Sequence, residues 1–329
     1  MRRKWIGIFL VFGLVLTGCA PQKPIEPPAE QLIVVGISQV GAESDWRVAN
    51  SESMKSVFTE ENGYRLLFED ACQKQENQIS AIRKFIQQQV DYIVLMPLSE
   101  SGWDSVLQEA KDAGIPVILV DRMADVRDET LYTAHVGSDF RRQGDTAVAW
   151  LEEMCEQTGK QRLDIIHIQG TLGSTAQLGR TAALEEAVAA HPEWNLLFQF
   201  DGDFTQAKTY EVMREYLDGA DAPQSIDVVY CENDNEAFGA IQALEEAGFA
   251  CGEGGVSVIS FDAARNGLRA CLEGKISLVV ECNPLLGPLV EESIRMLESG
   301  EVPERYRYIN EQCFTRDQLS AQIIEARPY

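Results

Sequence analysis

The sequence predicts an α/β protein of two Rossmann-like lobes, each a doubly wound parallel sheet, joined by a three-strand hinge. Short β-branched apolar runs alternate with longer stretches of helical period, which is the pattern of βα units. These runs come in two successive series, implying two sheets. Polar residues stand directly after them, where open parallel sheets collect their ligands. With 329 residues, 45% of them hydrophobic, the chain has material for two cores.

The elements follow in order. Arg2, Arg3 and Lys4 precede an apolar or glycine run from Trp5 to Leu16, too short to span a bilayer comfortably, which predicts a signal peptide over residues 1–18. It ends in Leu16-Thr17-Gly18-Cys19, a sequence that resembles the lipobox of bacterial lipoproteins and implies cleavage before Cys19 and a diacylglyceryl anchor on it. Pro21, Pro24, Pro27 and Pro28 among polar residues make 19–31 an extended tether holding the protein to the outer face of the cell membrane.

Residues 32–37 form a continuous apolar run, as expected for a strand covered on both faces. Trp46, Ala49, Met54, Val57 and Phe58 then share one helical face, with Gly63 placed to close that helix in a left-handed C-cap. Further strands are expected at 64–68, 92–96 and 115–120, separated by helices carrying Ile79, Ile82 and Ile86, then Trp103, Val106, Leu107 and Ala110. The second series has strands at 163–168, 196–200, 226–230, 256–261 and 277–280. The expected division is 32–135 plus 282–310 for the N-terminal lobe and 136–281 plus 311–329 for the C-terminal lobe.

After the strands come Glu43, Trp46 and Arg47; Asp70; Asp121 and Arg122; Thr171; Asp203 and Phe204; Asn233 and Asp234; Asp262; and Glu281. Carboxylates, amides and aromatic rings suit a neutral polyol, whose hydroxyls donate and accept and whose C–H faces stack on rings such as Trp46 and Phe204. Neither GxxxxGK[ST] nor GxGxxG follows any strand, which argues against a phosphate. A strand-end Asp can equally cap the next helix, so Asp121, Asp203 and Asp234 each have that structural reading as well. Trp103 and the stretch from Gln73 to Gln78 are assigned to structure or to the cleft rim.

The net charge is −24, and more negative once the leader's three cations are removed, so nucleic acid is repelled. Seven cysteines remain besides Cys19, with no CxxC or Cys/His spacing for a metal, and most read as small buried hydrophobes. No Ser/His/Asp or Cys/His set, GxSxG or HExxH occurs, so the expectation is a protein that is not an enzyme and uses no cofactor or metal. Paired carboxylates leave a hydrolase formally open.

From Val35-Gly36-Ile37-Ser38-Gln39-Val40-Gly41 and Glu43-Ser44-Asp45-Trp46-Arg47, the chain resembles the ribose/galactose type of periplasmic binding proteins (type 1), and within it the galactofuranose-binding branch. The similarity continues through Gln73-Lys74-Gln75-Glu76-Asn77-Gln78-Ile79, Asp121-Arg122, Gln169-Gly170-Thr171, Gly202-Asp203-Phe204-Thr205, Asn233-Asp234 and Gly239-Ala240-Ile241-Gln242-Ala243. The resemblance implies a monomeric hinged clamp that captures a monosaccharide and delivers it to an ABC permease and its ATPase. It also implies that Asp121, Arg122, Arg180, Asn233, Asp262 and Glu281 grip the ligand, with Trp46, Arg47 and Phe204 around it. Gly179 departs from the family, which carries an acidic residue there, and leaves Arg180 without one possible partner. A repressor of the same clamp fold would begin with a DNA-binding helix-turn-helix, absent here. A sensor that presents bound sugar to a membrane receptor or histidine kinase shares the fold and is the alternative function.

Overall fold

The computed structural model describes residues 32–220 and 222–329. The predicted leader, Cys19 and the tether lie outside them. The first lobe is built on β1 (Ile33–Gln39), β2 (Tyr64–Asp70), β3 (Tyr92–Leu95), β4 (Val117–Val120) and β5 (Ala134–Gly137), connected by α1 (Asp45–Val57), α2 (Gln75–Gln87) and α3 (Asp104–Asp112). After α4 (Phe140–Thr158), the second is built on β6 (Leu163–Gln169), β7 (Trp194–Asp201), β8 (Val228–Cys231), β9 (Ser257–Asp262) and β10 (Leu278–Glu281), connected by α5 (Thr175–Ala190), α6 (Gln206–Leu217), α7 (Asp234–Glu246) and α8 (Arg265–Leu272). The chain returns to the first lobe in α9 (Gly287–Glu298) and β11 (Tyr306–Tyr308), then ends on the second with β12 (Cys313–Phe314) and α10 (Ala321–Ala326).

The sheet orders are β11-β5-β4-β3-β1-β2 and β12-β10-β9-β8-β6-β7, so the two lobes repeat one topology. Neighbouring strands run parallel except β10 with β12. Each sheet is covered on both faces: Ile165 of β6 joins one core with Leu184 and Phe261, and its neighbour Ile166 joins another with Leu244 and Val258. That alternation between two buried faces explains the unbroken apolar runs.

Two details differ from the sequence reading. The first helix ends at Val57 and Gly63, with φ 88°, instead closes a short 3-10 turn over Glu60–Asn62, because Phe58 leaves helical geometry to enter the core. And β5 was not anticipated, since its four residues include His135; the expected lobe boundary between 135 and 136 falls inside it.

Three crossovers join the lobes: between β5 and α4, between β10 and α9, and between β11 and β12. Side-chain caps fix the helices that start at the cleft. Ser44 accepts from the backbone N–H of Arg47, Asp139 from Arg142, Ser174 from Gln177 and Asn233 from Glu236. Trp103 is buried and donates to the Ser99 carbonyl at 2.7 Å, while Gln78 bridges Met96 and Leu98, so both are structural.

Candidate functional site

The C-terminal ends of both sheets open on one cavity between the lobes. Backbone geometry aims its residues. Asp121, Asp203, Phe204 and Asp262 have φ of 63°, 57°, 58° and 100°, in the left-handed region that costs a bulky side chain energy. Phe204 holds this conformation because the Glu236 carboxyl accepts its N–H at 2.8 Å, and because its ring lies flat over Gly170, where a Cβ would come within 2.0 Å of it.

The polar side of the cavity is a lattice of charges. Arg47 donates from Nε to Glu43 at 3.0 Å and pairs through Nη2 with Asp121 at 2.9 Å. Arg122 donates to the Leu98 carbonyl at 2.9 Å and lies 4.0 Å from Glu43. Arg180 donates to Gln143 and to the Glu232 carbonyl and lies 3.9 Å from Asp262. All six charged side chains are under a tenth exposed. Burial pulls Arg122 down to about 10, with Arg47 adding to the effect. Burial also pushes Asp262 up to about 7, against the pull of Arg180. Burial would raise Glu43 too, but Arg47 and Arg122 beside it hold its carboxyl below the usual range.

Three atoms of this lattice, Glu43 Oε2, Arg47 Nη1 and Arg122 Nε, are buried with no hydrogen-bond partner. Leaving such groups unpaired costs about 1–3 kcal/mol each, more for charged ones. The residues that line the cavity thus carry one acceptor and two donors without a protein partner. The apolar side is a cluster of Trp46, Phe140, Ala176, Phe204 and Cys282. Trp46 is fixed by its Nε1–H, which donates to the Cys282 carbonyl at 2.6 Å, and the guanidinium of Arg122 sits 5.4 Å from the Phe204 ring centre.

Of the residues expected at the site, Glu43, Trp46, Arg47, Asp121, Arg122, Arg180, Phe204, Asn233 and Asp262 line this cavity. Thr171 and Glu281 do not. Thr171 donates to Asp203 at 2.8 Å, and Glu281 accepts from Tyr329 and the Gln312 N–H and forms an ion pair with Arg327 around a crossover. Asp121 caps no helix, and neither does Asp234 cap the helix it begins, since Asn233 caps α7 while Asp234 accepts from Ser260 and from the Ala264 N–H just before α8. Ser44, Phe140, Ala176 and Cys282 also line the cavity and were missed. Phe140 follows the unrecognised β5, Ala176 belongs to the first turn of α5, and Cys282 directly follows Glu281.

Gly179 has a packing cause. A Cβ there would stand 2.8 Å from Phe140 and 2.9 Å from the Arg141 backbone, so α4 and α5 cross too closely for an acidic side chain, and Gln143 partners Arg180 instead. Among the described residues, the seven cysteines are free, no cluster of His, Cys, Asp and Glu could hold a metal, and no helix is long and apolar enough to cross a membrane.

The sequence matches the periplasmic binding protein domain over residues 35–289. The chain belongs to that family. This binding protein is 37% identical to the galactofuranose-binding protein YtfQ of Escherichia coli over 274 residues, 83% of this chain and 85% of the relative. It superposes with a TM-score of 0.82 on a Mycobacterium smegmatis protein in complex with β-D-fucofuranose, at 38% identity, covering 87% of this chain and 92% of the other. The periplasmic component of an arabinose ABC transporter from Shewanella sp. ANA-3, bound to L-arabinofuranose, gives 0.82 at 37% identity, covering 90% and 95%. The two-lobe, parallel-sheet architecture of the binding protein is thus that of the type 1 fold.

Proposed function

We propose that this binding protein captures one neutral monosaccharide in furanose form, galactofuranose-like or a related hexose or pentose, and delivers it to an ABC-type sugar importer. The observation that carries the reading is the trio of unpartnered buried atoms, Glu43 Oε2, Arg47 Nη1 and Arg122 Nε, opposite an aromatic wall of Trp46, Phe140 and Phe204. Three arginines and three acids line the cavity, so opposite charges are largely matched within it. Hydroxyls supply the missing donors and acceptors, and the C–H face of a sugar covers the rings. Relatives named for galactofuranose, fructose and ribose support the sugar class, and those solved with fucofuranose and arabinofuranose support the ring form.

The protein is a transport component and not an enzyme, held outside the cytoplasm as a monomer by a lipid on Cys19, with residues 1–18 removed and 19–31 as tether. The lobes divide at the three crossovers, with the first boundary after β5 and not between residues 135 and 136, and sugar closes them by contacting both at once. A thermal-shift screen tests this. L-Arabinose, D-galactose, D-fucose, D-ribose and D-fructose are compared with sugar phosphates and sugar acids. Stabilisation by a neutral sugar supports the reading; stabilisation by the charged compounds alone overturns it.

A further inference from the structure

One carboxylate touches all three crossovers. Glu311 lies between β11 and β12, and its Oε1 accepts from Ser138 Oγ at 2.6 Å in the first crossover and from the Asn283 N–H at 2.9 Å in the second. Its Oε2 accepts from Gln143 Nε2 at 2.7 Å. The Gln143 amide therefore turns its NH2 toward oxygens, Glu311 on one side and the Glu281 carbonyl at 3.1 Å on the other. That leaves its own oxygen facing Arg180, where it accepts from Nε at 3.0 Å and Nη2 at 2.8 Å. A flipped amide would set two donors against a guanidinium and one acceptor against two oxygens, a doubly unfavourable arrangement in a buried site. Gln143 and Arg180 are 3% and 2% exposed, so water cannot easily replace the lost partners.

Arg180 lines the cavity, held over the Phe261 ring at 4.6 Å with Phe140 at 5.5 Å. Its in-plane orientation is set by Gln143 and by the Glu232 carbonyl. We propose that Glu311 is a positioning residue for ligand capture: it clasps the three hinge strands together and, through the amide of Gln143, fixes the Arg180 guanidinium in the orientation it presents to the cavity. The capture part of this rests on the sugar-binding reading; the link from Glu311 to Arg180 rests on geometry alone.

The test is Glu311→Gln in the full mature chain. The substitution keeps the shape and allows the bonds from Ser138 and Asn283 to survive, but sets NH2 against the NH2 of Gln143. In ligand-free protein, the Arg180 Nε–H resonance is expected to shift and to exchange with solvent faster in Glu311→Gln than in wild type. In calorimetry with D-galactose, Glu311→Gln and Gln143→Leu are each expected to weaken binding about tenfold, which corresponds to about 1.4 kcal/mol. The double variant is expected to bind no more weakly than Gln143→Leu alone, because the two residues act in series. An unchanged Arg180 resonance overturns the relay. So does a Glu311→Gln penalty that is equally large in the Gln143→Leu background, which would make Glu311 a plain hinge brace. Failure of the wild type to bind D-galactose would count against the sugar reading for that sugar, while the Nε–H resonance still decides the relay.

Discussion

Asp121 and Asp262 occupy the same place in the two lobes. Each stands at the C-terminal end of the fourth strand of its series, Asp121 just after β4 and Asp262 as the last residue of β9; each has a left-handed φ, 63° and 100°, and each faces an arginine from the helix after the first strand, Arg47 at 2.9 Å and Arg180 at 3.9 Å. The repeated topology thus delivers two carboxylate–arginine pairs to one cavity from opposite sides. The pairs are unequal, since Asp121 is in direct contact with its arginine and Asp262 is not. Burial consequently lifts the Asp262 carboxyl to about 7.

Replacing Asp121 removes the close partner of a fully buried guanidinium. Asp121→Ala is expected to weaken sugar binding by about 2 kcal/mol or more, through the loss of a charged acceptor in a dry site. Titration of the variant with the sugar that binds wild type checks this; affinity within twofold of wild type would remove Asp121 from the site.

The Asp262 carboxyl makes stability depend on pH. The unfolded chain releases this proton near pH 3.9, the folded chain at about 7. The folded state alone holds it between those values, so its stabilising effect is full below about pH 4 and is lost as pH rises through about 7. Asp262→Asn imitates the protonated form at every pH. Its melting temperature relative to wild type is therefore expected to climb between pH 5 and pH 8, following a contribution of at most about 1.4 kcal/mol per unit. A gap that stays constant across that range would show that Asp262 is ionised throughout.

Gly170 is required by close approach, with no positive φ involved. A methyl group there would meet the Phe204 ring at 2.0 Å, so the ring would have to leave its place in the cavity wall. Gly170→Ala is expected to cost about 1–3 kcal/mol in sugar affinity or stability from overpacking. Denaturant melts and titrations together measure it; a variant indistinguishable from wild type in both would mean the wall is free to move.

Cys282 gives a chemical readout of lobe closure. Its thiol is 2% exposed, lines the cavity and belongs to a crossover, whereas Cys72 is exposed on the first lobe. Maleimide is expected to label Cys72 rapidly in all conditions and Cys282 only when the lobes open, with bound sugar suppressing the second event. Peptide mapping reads both sites. Equal Cys282 labelling with and without saturating sugar would contradict closure around the ligand.

The sequence is informative where burial on two faces forces continuous apolar runs, as in β1 and β6, and where the polar residues Asp121, Asn233 and Asp262 stand at strand ends. It is silent on β11, whose Tyr306 and Tyr308 are exposed and which lies at a sheet edge, and on β5, where His135 interrupts the pattern. The positive φ of Phe204 and Asp262 falls on residues other than glycine, so the sequence does not announce it. Which strand-end residue faces the cavity depends on such turns. Thr171 and Glu281 are therefore drawn into neighbouring contacts, while Phe140 and Cys282 reach the cavity from a short strand and a crossover.

The most direct test of the central claim is calorimetric titration of the chain from Gln31 onward with D-galactose, D-fucose and L-arabinose. The account predicts saturable binding of one sugar per chain, with a dissociation constant on the order of micromolar or tighter for the preferred one, and loss of the heat in Asp121→Ala. A bulk sugar present mainly as pyranose would bind with an apparent affinity reduced by its furanose fraction. Absence of heat with every neutral sugar, together with binding of a sugar phosphate or sugar acid, would contradict the account.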